Sequence, residues 1–297
     1  MTKHDIMRAM KILTVTCDDL TQINEYYEAG ADEVILPLED GCFTAMHEFS
    51  LEEILEVCKN RKDSQRRIAV LMNRLFFEEE RAESMLKLRQ LLPYVDAVLF
   101  ADAGLLSGLS EEECRKMIYR PETLMTSSND AAWWMGNGLL SVQISPLLTK
   151  EEIIEIAKTV KGCSLQIHGR MLMSVSRRPL LSAYSEFAGI ESLHEKKGLL
   201  LREDQRQGMM PVYENRYGTM IFTDFVQESF ADFKDFADAG IERFEIDTMT
   251  LEKEAVIDAL HLYKAMLNNE EADYHTYLEK YKKYPFSTGY YGMKTIK

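Results

Sequence analysis

Ser141-Val142-Gln143-Ile144-Ser145, Thr149-Lys150-Glu151-Glu152 and Ser164-Leu165-Gln166-Ile167-His168 follow one another in close succession along the chain. The first and third are short apolar runs of strand type, and the second is a helix start. Thr149 and Glu152 fit a capping box, in which hydroxyl and carboxylate satisfy the orphan amides of a first helical turn. Behind it Ile153, Ile156, Ala157 and Val160 share one helical face. Strand, amphipathic helix, strand is the unit from which parallel sheets are built.

The same unit recurs outward in both directions. Strand candidates are Ile12-Cys17, Glu33-Leu38, Ile68-Asn73, Ala97-Asp102, Thr123-Ser127, Ser141-Ser145, Ser164-His168 and Arg243-Asp247. Capping boxes at Ser50-Leu51-Glu52-Glu53 and Ser110-Glu111-Glu112-Glu113 mark further helix starts. Eight strands alternating with helices predict an α/β fold, a (β/α)8 TIM-like barrel. The rhythm breaks at about 171–230, which holds Arg177-Arg178, Glu195-Lys196-Lys197 and an extra strand at Thr219-Thr223. It reads as an insertion between strands 7 and 8 of a barrel over 1–267. The polar and aromatic stretch 268–297 reads as a short C-terminal appendage packing on it.

The chain has 297 residues, 46% hydrophobic and 28% charged, enough for a sizeable core in one domain. A net charge of −14 argues against indiscriminate polyanion binding, though not against a local basic patch. No apolar run is long enough for a membrane helix, and Met1 to Met10 lacks the apolar core of a secretory signal, so a cytoplasmic protein is expected. Cys17, Cys42, Cys58, Cys114 and Cys163 lie too far apart for a C-x-x-C motif. No disulfide framework and no metal site are expected.

Barrel enzymes gather their chemistry where the strand C-termini converge. Those ends read Cys17-Asp18, Glu39-Asp40, Asn73-Arg74, Asp102, Ser127-Ser128-Asn129, Ser145, His168-Gly169-Arg170 and Glu245 to Asp247. His168 is the expected general acid or base, with Asp102 or Asp247 to orient it. Asn73, Ser127 and Ser128 are expected to bind substrate, and Arg170, Arg177 and Arg178 to grip a carboxylate or phosphate. The alternative for each is a helix cap, a solvated loop or a structural histidine. There is no G-x-S-x-G elbow and no H-E-x-x-H.

The run Leu165 to Ser182, with His168-Gly169 followed by Ser176-Arg177-Arg178-Pro179-Leu180-Leu181, resembles the signature of the U32 peptidase-like family. Gly30 to Val34, Phe49 to Ile54, Val95 to Asp102, Leu124 to Ser128, Tyr213 to Thr219 and Ser287 to Tyr290 fit in order. The resemblance covers essentially the whole chain, and its Tyr213-Glu214 segment adds Glu214 to the binding candidates. Length and motifs look most like the smaller, Bacillus-type branch of a two-protein tRNA system. What the resemblance implies is a barrel fold and a part in prephenate-dependent 5-hydroxylation of the wobble uridine, with prephenate as co-substrate. Behind that reading it leaves an alternative, a collagenase-like peptidase, and a further one, a non-catalytic barrel beside a larger cluster-bearing paralogue. The partners it implies are that paralogue, tRNA and a small acid. Relatives hold an iron–sulfur cluster through cysteines whose positions here are Leu172 and Pro179, and no cysteine follows Cys163. Because a cluster needs thiolate ligands, none is expected in this chain.

Overall fold

Eight parallel strands close into a barrel in the order β1-β13-β7-β6-β5-β4-β3-β2. The first seven are β1 (Ile12–Thr16), β2 (Glu33–Pro37), β3 (Arg67–Met72), β4 (Ala97–Phe100), β5 (Met117–Tyr119), β6 (Ser141–Ile144) and β7 (Cys163–His168). Then come β8 (Leu172–Ser176), β9 (Leu200–Arg202), β10 (Met209–Asn215), β11 (Gly218–Phe222), β12 (Val226–Gln227), β13 (Arg243–Ile246) and β14 (Phe286–Ser287). The helices are α1 (Ile23–Glu28), α2 (Leu51–Asn60), α3 (Arg81–Leu91), α4 (Glu111–Cys114), α5 (Ser128–Gly136), α6 (Lys150–Thr159), α7 (Leu180–Ala188), α8 (Phe233–Ala239), α9 (Lys253–Leu267) and α10 (Tyr274–Lys280). The computed structural model describes residues 11–61, 63–204 and 208–293, so the leader reading of Met1 to Met10 lies outside the described residues. Among the described residues no helix is long and apolar enough to cross a membrane.

The strands are apolar on both faces because each is buried twice, against the helices and against the barrel interior. Val34, Val70, Val98, Val142, Leu165 and Phe244 face the helical layer. Ile35, Ala69, Leu71, Leu99 and Ile118 fill one side of the interior. At the base, Glu33 pairs with Arg243 at 2.5 Å and with Arg67 at 3.4 Å, a plug of charges in which each partner offsets the other's desolvation. The capping boxes at Ser50, Ser110 and Thr149 form as their sequences require.

The fifth strand corrects the sequence expectation. It is Met117–Tyr119, not Thr123 to Ser127. Met117, Ile118 and Tyr119 pair with Val98, Leu99 and Phe100, and Pro121 follows after Arg120. Leu124 is 72% exposed, only Met125 of that segment is fully buried, and Ser127 caps α5 by accepting the Asp130 amide.

Between β7 and β13, strands β8, β11, β10 and β9 form an antiparallel sheet in that order. Leu172, Tyr213, Met220 and Phe222 pack with Phe43 and Met46 of the β2–α2 loop and with Met249. The sheet therefore roofs part of the mouth. The tail returns through α10 to pair β14 with β12, and the Tyr291 hydroxyl accepts from Gln227 Nε2 and meets Ser229 Oγ at 2.8 Å.

Candidate binding site at the barrel mouth

A cavity of about 410 Å³ opens over the C-terminal ends of β1, β2, β3 and β13. Thr16, Thr44, Leu71 and Asp247 form its inner end, while Met46, His47, Thr250 and Tyr284 form its rim. Tyr284 comes from the tail, where its hydroxyl accepts the Glu252 amide at 2.9 Å.

Beside Asp247 lies the densest charge cluster of the barrel. Arg120, at the end of β5, is 2% exposed. Its Nη2 stands 2.9 Å from Glu245 Oε1 and 4.0 Å from Asp247 Oδ2, and its Nε stands 3.6 Å from Glu122 Oε1. Nε also donates to Gln143 Oε1 at 3.1 Å, and Gln143 Nε2 donates to Glu245 Oε2 at 2.7 Å. The Arg120–Glu245 contact is an ion pair without the alignment of a hydrogen bond, and Arg120 Nη1 has no hydrogen-bond partner although buried. Asn73 closes the ring, donating to Glu122 at 2.6 Å and to Thr44 at 2.9 Å.

One guanidinium thus faces three carboxylates in a water-poor interior. Burial pushes Glu245 up to about 7 and Asp247 up to about 6, against the pull of Arg120. The cluster can hold a proton near neutral pH, as groups that move protons must.

The structure brings Asn73 and Asp247 to this ring and places the other expected residues elsewhere. His168 corrects the expectation of a mouth histidine beside carboxylates. Its ring lies outside the barrel wall, among Phe230, Tyr263, Tyr277 and Phe286, with Nε2 3.1 Å from the Tyr277 hydroxyl. Burial alone drags the imidazole down to about 3, so it stays neutral. The carboxylates expected to orient it are engaged with backbone: Asp247 accepts the Met249 amide, and Asp102 those of Phe76 and Gly104. Ser127 caps α5 and Ser128 is its first residue. Arg170 donates to Thr250 at 2.9 Å and to the Thr223 carbonyl at 2.5 Å, tying the insertion to the rim. Arg177 and Arg178 are exposed on the insertion, Arg177 over the Phe77 ring at 3.5 Å. Glu214 is fully buried there and accepts from the Leu181 and Ser182 amides, Ser182 Oγ, Thr219 Oγ1 and His194 Nδ1. Burial opposes its charge, yet these hydrogen bonds hold its carboxyl below the ordinary range.

The His168 geometry carries a stability prediction. A folded pKa of about 3 against an ordinary 6.5 means that the unfolded chain binds the extra proton between those values. Stability from this residue is therefore complete above about pH 6.5 and drains as pH falls, by up to about 1.4 kcal/mol per unit. His168→Gln is expected to flatten that part of the acid slope in urea titrations. An unchanged slope would reject the assignment.

A profile described as Peptidase family U32 matches residues 18–297. The chain belongs to peptidase family U32. Among relatives of this U32 chain is tRNA hydroxylation protein P2 of Bacillus subtilis (strain 168). It is 24% identical over 267 residues, which span 86% of this chain and 85% of that one. The solved U32 peptidase Mk0906 aligns with 80% of this chain and 93% of its own at 15% identity and a TM-score of 0.48. The phosphoribosyl anthranilate isomerase of Thermotoga maritima aligns with 86% and 99% at 10% identity and a TM-score of 0.45.

The residues present do not fit the cysteine-held iron–sulfur cluster that the family resemblance implies for relatives. The positions after the His-Gly pair are a buried Leu172 and Pro179. Four of the five thiols are buried, and burial raises all five above the ordinary cysteine value. Among the described residues no group of three or more His, Cys, Asp or Glu could hold a metal.

Arg120, Glu122, Gln143 and Glu245 are the site residues that sequence reasoning leaves out of its catalytic and binding set. Their signal is nevertheless present. Gln143 and Glu245 are polar residues in the middle of strands whose other neighbours are apolar, and a doubly buried strand tolerates such a residue only with a partner.

Proposed function

We propose that this U32 protein is a component of a tRNA wobble-uridine 5-hydroxylation system whose barrel mouth binds a small carboxylic acid, with prephenate as the co-substrate. The observation that carries the reading is Arg120, a buried guanidinium with an unpartnered Nη1 beside a cavity that reaches Asp247. Arg120 stands behind Asp247 rather than in the cavity lining. In this reading the acid's carboxylate reaches past Asp247 to complete the hydrogen bonding of that guanidinium, and charge-assisted pairs of this kind are the strong ones. The relative named as a tRNA hydroxylation protein supports the tRNA half of the reading.

The carboxylates fix the pH dependence. An anion enters the ring most readily when Glu245 and Asp247 are protonated, so binding is coupled to proton uptake. Affinity for prephenate is expected to fall as pH rises through about 6 to 7. Calorimetric titration on both sides of that window reads the effect, and pH-independent binding would remove the coupling. Deleting the gene and measuring 5-hydroxyuridine in bulk tRNA tests the wider reading. Unchanged modification sinks it.

A larger U32 paralogue carrying the redox centre is the partner this reading requires. The exposed apolar face of α7 suits a protein contact, with Leu180, Tyr184 and the 91% exposed Phe187 one turn apart in succession. A peptidase reading has less support. Ser182 Oγ donates to Glu214, but hydrogen bonds hold that carboxyl below the ordinary range. The only group facing the hydroxyl among the described residues is therefore a weak base, and His194 meets Glu214 instead.

A further inference from the structure

A second cavity, of about 270 Å³, lies between the loop after β3 and the hairpin joining β10 to β11. It is separated from the mouth cavity by the β2–α2 loop, which gives Phe43 to one and Thr44 to His47 to the other. Its walls alternate flat rings with guanidinium groups. Arg177 lies over Phe77 at 3.5 Å, and Arg74 lies over Tyr217 at 4.2 Å. Arg216 covers Tyr217 at 5.0 Å.

Three features suit the cleft to a ligand rather than only to packing. Phe77 is 53% exposed and Leu75 52%, so apolar surface remains open around the rings. Arg74 is 7% exposed and gives Nη1 to Glu80 at 2.8 Å, yet its buried Nε has no hydrogen-bond partner. A buried donor left unmatched costs free energy that a ligand acceptor recovers. Finally, an adjoining shallow cleft shares Arg177 and Arg216 and adds His194, Ser182 and Ser192. Asp40, at 2.6 Å, anchors Arg216, whereas Arg177 and Arg178 have no ion-pair partner among the described residues.

Stacking rings, an unmatched donor and an adjoining pair of arginines match the three parts of a nucleotide: its π-face, its base edge and its phosphate. We propose that this cleft holds one unstacked nucleotide of single-stranded RNA, with the base on Phe77 and Tyr217 and the phosphate at Arg177. The proposal rests on the tRNA reading above and adds to it the site where the RNA is gripped. On a chain of net charge −14, such a local site favours a single flipped nucleotide over extended backbone contact.

The test uses fluorescence polarisation with the full-length protein and a synthetic anticodon stem–loop carrying an unmodified wobble uridine. Phe77→Ala and Arg177→Ala alter exposed side chains and leave the fold intact. Each is expected to weaken binding about tenfold or more, whereas Lys158→Ala on α6 leaves it unchanged. A stem–loop abasic at the wobble position should bind the wild type more weakly, but bind Phe77→Ala no worse than the intact loop does. Wild-type-like binding by Phe77→Ala, or no RNA binding by the wild type, overturns the proposal. A deletion strain complemented with Phe77→Ala separates the two readings. Lost 5-hydroxyuridine on deletion that Phe77→Ala restores fully rejects the cleft alone. Modification that survives deletion rejects the tRNA reading, and the binding series still decides the cleft.

Discussion

Arg120→Met is expected to cost about 3–5 kcal/mol of stability near neutral pH, the loss typical when one member of a buried ion pair is removed. The guanidinium is the only cation within 4.0 Å of Glu245 or Asp247 among the described residues, so its removal leaves Glu122, Glu245 and Asp247 facing one another. The penalty should depend on pH in a definite direction. Burial already lifts Glu245 to about 7 and Asp247 to about 6, and Arg120 pulls both down. Without it both rise further, so both are neutral in the variant at about pH 5 and their share of the unpaired charge is gone. The folded variant then holds more protons than its unfolded chain across that interval, and its stability falls as pH rises through it. Urea titrations of wild type and variant at about pH 5 and pH 8 should therefore show a smaller difference at the lower value. Adding Glu245→Gln to Arg120→Met should recover part of the loss at the higher value. Equal differences at both would mean that the three carboxylates do not share one field. The same variant should lose prephenate binding at every pH.

The barrel was legible because its units repeat. The Thr149 capping box, the Ile153 to Val160 face and the two flanking apolar runs form α6, β6 and β7 much as read. What escaped was short or broke a rule. The strand Met117–Tyr119 is three residues long and directly follows the capping box of α4, so its signal was hidden, and Arg120 was lost with it. His168 broke the rule of alternation. Period two would put it on the same face as Gln166, inside the barrel. The pairing of β13 with β7 slips instead between Glu245 and Ile246, setting Gln166 beside Glu245 and His168 beside Ile246. A bulge turns every later side chain to the other face. His168 therefore joins the aromatic layer under α9 and α10, and no pattern within β7 itself announces the slip.

Gly169, the partner of His168 in the family signature, carries the second large effect. Gly169→Ala is expected to destabilise the protein by several kcal/mol and to abolish acid binding together. Gly169 has φ +107°, a conformation that costs an L-residue about 1–3 kcal/mol. A Cβ there would stand 2.4 Å from the Asp247 carbonyl oxygen and 2.9 Å from the Asp247 Cβ, so Asp247 must move. It cannot move cheaply. Its amide donates to the His168 carbonyl at 2.9 Å, and Gly169 is itself pinned on the other side by paired hydrogen bonds with Gln227. Displacing Asp247 opens the ring around Arg120 and alters the inner end of the cavity in one step. Gly136→Ala is the control, since nothing lies within 4 Å of a Cβ at that helical position and a neutral or slightly stabilising change is expected. Urea titration and prephenate calorimetry on both variants decide the matter. If Gly169→Ala keeps stability but loses binding, the glycine serves the site alone; if it keeps both, the close approach to Asp247 is not what the position requires. The expected joint loss would make the His-Gly pair a hinge of packing, with His168 locking the outer wall and Gly169 letting Asp247 come close enough to meet Arg120.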